Sequence, residues 1–167
     1  IVPHHPSAPV GTSDPDTKYW ATSGFNWDFY EPGLMRLVEI YSKWGNSEYF
    51  VGRRPLLNQQ REGTVQAALA RGYMLGFVGA SDTHASRPGS DLYQDHTYPQ
   101  SGVTAVFAKS LDRASIYAAL KARRCYATTG PRIILRFSLN GQPMGSRVFL
   151  EGAAEPKAMW VEVATEG

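Results

Sequence analysis

The sequence predicts an α/β fold that is followed by a smaller module of antiparallel strands. Residues 34–42 and 76–84 are apolar runs with the length and composition of buried strands. Residues 62–71 and 112–124 carry apolar side chains at helical spacing. Because strands and helices alternate here, we expect parallel β/α units, which place ligand-binding groups at the carboxyl ends of their strands.

The pattern changes after Cys125, where the remaining segments alternate between apolar and polar side chains. Such alternation is typical of half-exposed antiparallel strands, and it occurs in residues 132–139, 146–150 and 158–164. Asn140 and Gly141 form a dipeptide that favours a tight hairpin turn. We therefore expect one domain at residues 1–130 and the start of a β-rich module at residues 131–167.

Composition excludes several classes of protein. With 167 residues, 43% hydrophobic and 19% charged, the chain is typical of a globular protein with a real core. The net charge of +2 gives no electrostatic reason to expect a nucleic-acid partner, and no apolar run approaches the ~20 residues of a membrane span. The single cysteine, Cys125, excludes an internal disulfide and a zinc–thiolate cluster. Cytoplasmic and periplasmic locations are both compatible with this composition.

Two residues with metal-binding side chains, Asp82 and His84, end the second apolar run. Side chains two positions apart on a strand point the same way, so these two can share one site. An oxygen and a nitrogen ligand together suit zinc, manganese or iron. A surface loop without metal is the alternative interpretation of so short a motif.

Five further residues are candidates for the same site. His4 and His5 are adjacent, so on an extended backbone they face opposite ways and one of them at most serves a given site unless the chain turns. Glu39 lies inside an apolar run and needs a partner or a raised pKa; an arginine such as Arg53 or Arg54 is one possible partner. The other two candidates are Arg87, which could hold a phosphate oxygen, and His96, which is either an acid–base group or an ordinary loop histidine.

Four landmarks occur in an order that resembles the later part of a PHP domain, of the polymerase and histidinol phosphatase superfamily. They are His4-His5, the VEIYS of residues 38–42, the SDTH of residues 81–84 and the YATTG of residues 126–130. The resemblance is greatest to an uncharacterised bacterial group with long loops. It implies the C-terminal part of a distorted (β/α)7 barrel with two or three metal ions at the strand carboxyl ends.

The resemblance also assigns roles to individual residues. It implies that His4, Asp82 and His84 are metal ligands, that His5 is a second possible ligand or faces the substrate, and that Glu39 lies at the margin of the site. The first His-x-His motif of that superfamily is absent from this sequence, which contains four histidines in all. We therefore expect a partial barrel, completed by upstream residues of a longer protein or by a second copy of the chain.

The predicted function is that of a metal-dependent hydrolase acting on a small phosphate ester through a metal-activated water. The cofactor would be a divalent ion such as zinc, manganese or iron. A hydrolase of amides or lactones would need the same ligands. A non-catalytic fragment or binding module is the alternative from another class, since the first ligand motif is missing.

Overall fold

The computed structural model describes residues 1–9, 24–84, 101–149 and 158–165. Within these ranges the chain forms eight short strands, two α-helices and two single-turn 3₁₀ helices. The strands are β1 (Leu37–Ser42), β2 (Gly45–Asn46), β3 (Gly76–Gly79), β4 (Val103–Val106), β5 (Cys125–Thr128), β6 (Ile134–Leu139), β7 (Gln142–Pro143) and β8 (Met159–Ala164). The helices are α1 (Val65–Ala70) and α2 (Arg113–Lys121), and the 3₁₀ turns cover Trp27–Phe29 and Arg61–Gly63.

The strands form three small sheets rather than part of a barrel. β1 lies between β2, to which it is antiparallel, and β3, to which it is parallel. β4 pairs with β5 antiparallel, and β6 pairs antiparallel with both β7 and β8. The predicted (β/α)7 barrel is therefore wrong: β1 and β3 form the one parallel pair among the named strands, and the described residues form no closed barrel. The alternating pattern in the sequence predicts the order of strands and helices. It does not determine whether neighbouring strands pair parallel or antiparallel.

Several predicted elements are present with shorter bounds, and three strands, β2, β5 and β7, were not predicted. Of these, β5 pairs with β4 along its whole length. The strand expected at residues 146–150 is absent from residues 146–149, and residue 150 lies outside the described ranges. The predicted turn is confirmed: Asn140 (φ 49°) and Gly141 (φ 75°) both have positive φ and join β6 to β7. The domain boundary near residue 130 stays a prediction.

A carboxylate caps the amino terminus of α2. Asp112 is the N-cap, and its Oδ1 accepts the Ser115 N–H at 2.8 Å. The Ser110 hydroxyl donates to the same carboxylate. This hydrogen bond and those from Ser115 lower the pKa of Asp112 to about 2. A carboxylate is favoured at this position because it also complements the positive end of the helix.

The hydrophobic core lies between β1, α1 and the segment around the first 3₁₀ turn. Its buried members are Trp27, Val38, Val65, Ala68 and Leu75. The Trp27 indole is 1% exposed, and its Nε1 donates to the Gly63 carbonyl at 3.0 Å. Burying this large ring with its one donor satisfied stabilises the fold and fixes the second 3₁₀ turn beneath it. None of the described helices is long and apolar enough to cross a membrane.

Thr64 joins the second 3₁₀ turn to α1. Its buried hydroxyl accepts the Ala67 N–H at 3.2 Å and donates to the Arg61 carbonyl at 2.8 Å. Thr64→Ala removes both bonds, so it should lower the free energy of unfolding by about 1 kcal/mol in urea titration. Thr64→Ser keeps the hydroxyl and should retain most of that stability. Equal losses in the two variants would contradict the capping role.

Candidate metal centre

The amino-terminal segment, residues 1–9, lies against β1 and turns sharply beside it. The Glu39 N–H donates to the Pro3 carbonyl at 3.1 Å, which fixes the segment on the strand. The chain then turns at His5, whose φ is 45° and whose carbonyl accepts the Ala8 N–H at 2.9 Å. Because of this turn, both adjacent histidine rings come to the same side.

Contacts from four other parts of the chain hold that turn in place. The Ser7 hydroxyl donates to Ser47 Oγ at 2.9 Å, and the Ser7 carbonyl accepts the Gln60 N–H at 2.6 Å. The Pro6 carbonyl accepts the Phe25 N–H at 3.0 Å. Gly63 also packs against this turn so closely that a Cβ there would lie 2.3 Å from the Pro6 oxygen. The position of the histidines is therefore set by the surrounding fold.

Three imidazoles and two carboxylates converge at the carboxyl-terminal side of β1 and β3. Nε2 of His5 lies 3.3 Å from Asp82 Oδ2 and 3.7 Å from Glu39 Oε1. Nε2 of His4 lies 3.6 Å from Asp82 Oδ2, and Nε2 of His84 lies 3.3 Å from Asp82 Oδ1. The rings of His4 and His5 stack at 3.8 Å. Asp82 is therefore the group that all three imidazoles share.

Glu39 differs from Asp82 in that it makes ordinary hydrogen bonds. Its Oε2 lies 3.0 Å from Nδ1 of His4, and its Oε1 accepts the His5 N–H at 3.4 Å. A carboxylate bound to one ring nitrogen fixes the tautomer and the orientation of the imidazole. Glu39 thereby leaves Nε2 of His4 directed at Asp82.

Burial decreases across the cluster from one side to the other. His5 and Glu39 are 4% and 5% exposed, and the Asp82 side chain is 13% exposed. The side chains of His4 and His84 are 47% and 72% exposed. The cluster thus has a closed inner wall and a side that opens to solvent, as a site that admits a substrate requires.

Two members of the cluster have a strained backbone. His5 and Asp82 have φ values of 45° and 48°, in the left-handed region that L-residues other than glycine seldom adopt. Such a conformation costs of order 1–3 kcal/mol and persists only where the surrounding structure enforces it. At Asp82 the strain coincides with the end of β3, where the chain turns its carboxylate toward the two histidines of the first segment.

The two adjacent histidines have opposite pKa shifts. The hydrogen bond that His4 donates to Glu39 raises the pKa of His4, against a smaller opposing effect of burial. Burial lowers the pKa of His5, and the neighbouring His4 lowers it further. Both effects favour the neutral imidazole of His5, whose Nε2 lies 2.8 Å from the Ser42 hydroxyl.

The separations between the donor atoms are compatible with a shared ion as well as with ion pairs between imidazole and carboxylate. Two ligands at 2.0–2.2 Å from one tetrahedral ion lie roughly 3.4 Å apart. The Nε2 contacts to Asp82 span 3.3–3.6 Å, whereas N–H···O hydrogen bonds centre near 2.9 Å. Donor atoms of His4, His5 and Glu39 also lie within 4.8 Å of one another. Imidazole nitrogens with carboxylate oxygens are the ligands that zinc, manganese and iron accept.

The structure brings together five of the seven predicted site residues: His4, His5, Glu39, Asp82 and His84. Both adjacent histidines serve one cluster because the chain turns at His5, the case that the sequence left open. The partner of Glu39 is His4 rather than an arginine. Arg87 and His96 lie outside the described residues, so their predicted roles stay predictions.

Two neighbours of the cluster were not predicted. Ser42 contacts His5, and the ring of Trp44 lies 6.0 Å from that of His84. Ser42 belongs to the VEIYS stretch, three residues after Glu39. That spacing could have identified it as a neighbour of the cluster. Nothing in the local sequence marked Trp44.

A cleft of about 680 Å³ lies along β1, and none of the five cluster residues lines it. It includes Ile40 and Tyr41, the two residues between Glu39 and Ser42. Arg53 and Arg54 lie in its wall, and the Arg54 guanidinium donates to the Tyr41 hydroxyl and to the Lys43 carbonyl. The remaining lining residues are Asn46, Glu48, Tyr49, Ala127, Thr128 and Thr129. The volume is in the range of small-molecule sites.

Comparison with known proteins gives relatives without an assigned activity. The family model described as "Protein of unknown function (DUF3604)" matches residues 89–149. An uncharacterized protein of Chlamydia trachomatis serovar D is 38% identical over 134 residues, which are 75% of this chain and 21% of that protein. An uncharacterized protein of Chlamydia muridarum is 36% identical over 152 residues, 84% of this chain and 24% of that protein. The chain spans about a fifth of the length of the curated relatives it matches. No solved structure matches the chain significantly.

The opposite shifts of the two histidines can be measured in metal-free protein. In a chelator-treated NMR titration, His4 should titrate above 6.5 and His5 below it. Since folding raises the pKa of His4, its contribution to stability is present below pH 6.5 and is lost as the pH rises through the folded-state value. Glu39→Gln should lower the pKa of His4, while Glu62→Gln, at an exposed position, should leave it unchanged. A His4 pKa that is the same in Glu39→Gln would contradict the assigned hydrogen bond.

Proposed function

We propose that this chain carries the metal centre of a hydrolase that cleaves phosphate esters. The observation that supports this most is the convergence of three imidazoles and two carboxylates from three separate segments of the chain. His4 and His5 come from the first segment, Glu39 from β1, and Asp82 and His84 from the turn after β3. The order and spacing of these residues also resemble those of PHP domains.

Four of these side chains would hold the metal: His4, His5, Asp82 and His84. A divalent ion in such a site lowers the pKa of bound water and binds the oxygens of a phosphate. Glu39 would orient His4 through the 3.0 Å contact to Nδ1. Asp82 would keep the three Nε2 atoms directed toward one point, since each lies within 3.6 Å of its carboxylate.

The cleft along β1 supports a phosphate ester as the substrate class. It is lined by Ile40 and Tyr41 of the strand that carries Glu39, and Arg53 and Arg54 contribute permanent positive charge to its wall. The Arg54 guanidinium is already held by Tyr41 and Lys43, so we assign anion binding to Arg53 and wall formation to Arg54. Arg87 and His96 are retained as a further anion ligand and as an acid–base group.

The test measures hydrolysis of p-nitrophenyl phosphate with manganese, zinc or iron. It uses both this chain and the full-length Chlamydia trachomatis relative, because the chain spans about a fifth of that protein. We expect metal-dependent cleavage that chelation abolishes. In the chain, Asp82→Asn should reduce metal affinity and turnover by about a hundredfold, since Asp82 contacts three imidazoles. Asp28→Asn, the same change at an exposed position, should leave both unchanged.

Two results would contradict the proposal in different ways. Absence of metal binding in both proteins would remove the metal centre itself and favour a non-catalytic binding module. Metal binding with cleavage of an amide or a lactone, but of no phosphate ester, would retain the centre and overturn the substrate class.

A further inference from the structure

A second pocket lies at the opposite end of β1 from the metal cluster. It has a volume of about 380 Å³, within the range of small-molecule sites. Arg36, the residue that precedes β1, lines it together with Arg123 and Arg147. The other lining residues are Tyr30, Pro32, Gly33 and Met74.

The charge of this pocket is strongly positive. Arginine is protonated at any working pH, so the three guanidiniums bring three positive charges. No carboxylate lines the pocket in the described part of the chain. Glu31 lies beside it, where its Oε1 accepts the Gly33 N–H at 2.9 Å, and it offsets one charge. The like charges that remain repel one another unless an anion lies between them.

Within the described residues, few of the guanidinium donors in this pocket have a hydrogen-bond partner. The Nε atom of Arg36 is buried and has no hydrogen-bond partner. A buried, unpaired donor is rare in folded proteins and commonly marks a missing ion or water. Arg123 makes one long bond, from Nη2 to the Gly145 carbonyl at 3.4 Å. Arg147 lies over the Phe149 ring at 4.7 Å, a contact that orients its plane and leaves its N–H edge available.

We propose that these three arginines form a binding site for a small ligand with two or more phosphate groups. The planar fork of each guanidinium matches a phosphate oxygen pair, and three forks exceed what one singly charged anion can use. A diphosphate would accept bonds from the accessible N–H groups of all three guanidiniums. Tyr30 and Met74 provide an apolar wall on which an organic part of the ligand would rest.

Isothermal titration calorimetry with inorganic pyrophosphate tests the site directly. The titration uses the whole chain with a chelator present, so the metal cluster contributes nothing and the outcome is independent of the hydrolase proposal. We expect saturable binding that weakens as salt is added. Arg147→Gln, at an exposed position that the fold tolerates, should weaken binding about tenfold. Arg113→Gln, the same change at the start of α2, should leave the affinity unchanged.

A second variant tests the role of the Arg36 fork, and a second ligand tests whether the apolar wall binds an organic group. Arg36→Lys keeps the charge but removes the fork, and it should also weaken binding about tenfold if its circular dichroism matches that of the parent chain. ADP should bind at least as tightly as pyrophosphate, and tighter binding would assign the organic part to the apolar wall. Absence of saturable pyrophosphate binding, or equal weakening by Arg147→Gln and Arg113→Gln, would overturn the proposal.

Discussion

The buried carboxylate of Glu39 is the constraint on which the rest of the site depends. Glu39 is 5% exposed and follows Val38, which is fully buried in the core. A carboxylate in such a position costs several kcal/mol unless its oxygens are paired. The pairing comes from His4 and His5, which are 34 and more residues away in sequence. The need to satisfy one charge on β1 therefore fixes the first segment of the chain against the sheet and brings both histidines to the same place.

The strained backbone at Asp82 brings a second carboxylate into the cluster, close to that of Glu39. Its carboxylate approaches that of Glu39 across the ring of His5, and burial keeps that ring neutral. The hydrogen bond to Glu39 raises the pKa of His4. A divalent cation would bind the neutral form of His4 and would relieve the repulsion between the two carboxylates. The side chains that hold residues 1–9 against β1 are thus also those that a bound metal ion would stabilise.

Much of this site could be predicted from residue types, while the architecture around it could not. Asp82 and His84 were recognisable from their spacing after an apolar run, and Glu39 from its charge inside one. The position of the His4 and His5 rings on the same side could not be predicted, because it depends on the positive φ of His5. Contacts from Ser47, Gln60 and Gly63 enforce that conformation. The barrel prediction was wrong because apolar runs do not encode strand direction: β5 joins β4 antiparallel although a helix separates them in sequence.

The most direct test of the metal centre is anomalous scattering from crystals of the chain grown with manganese or zinc. Data collected above and below the absorption edge locate the ion independently of any assay. We predict a peak within coordination distance of Asp82 and of Nε2 of His5, absent from crystals of Asp82→Asn. A map without a peak at this cluster, from protein shown to be folded and exposed to saturating metal, would contradict the central claim.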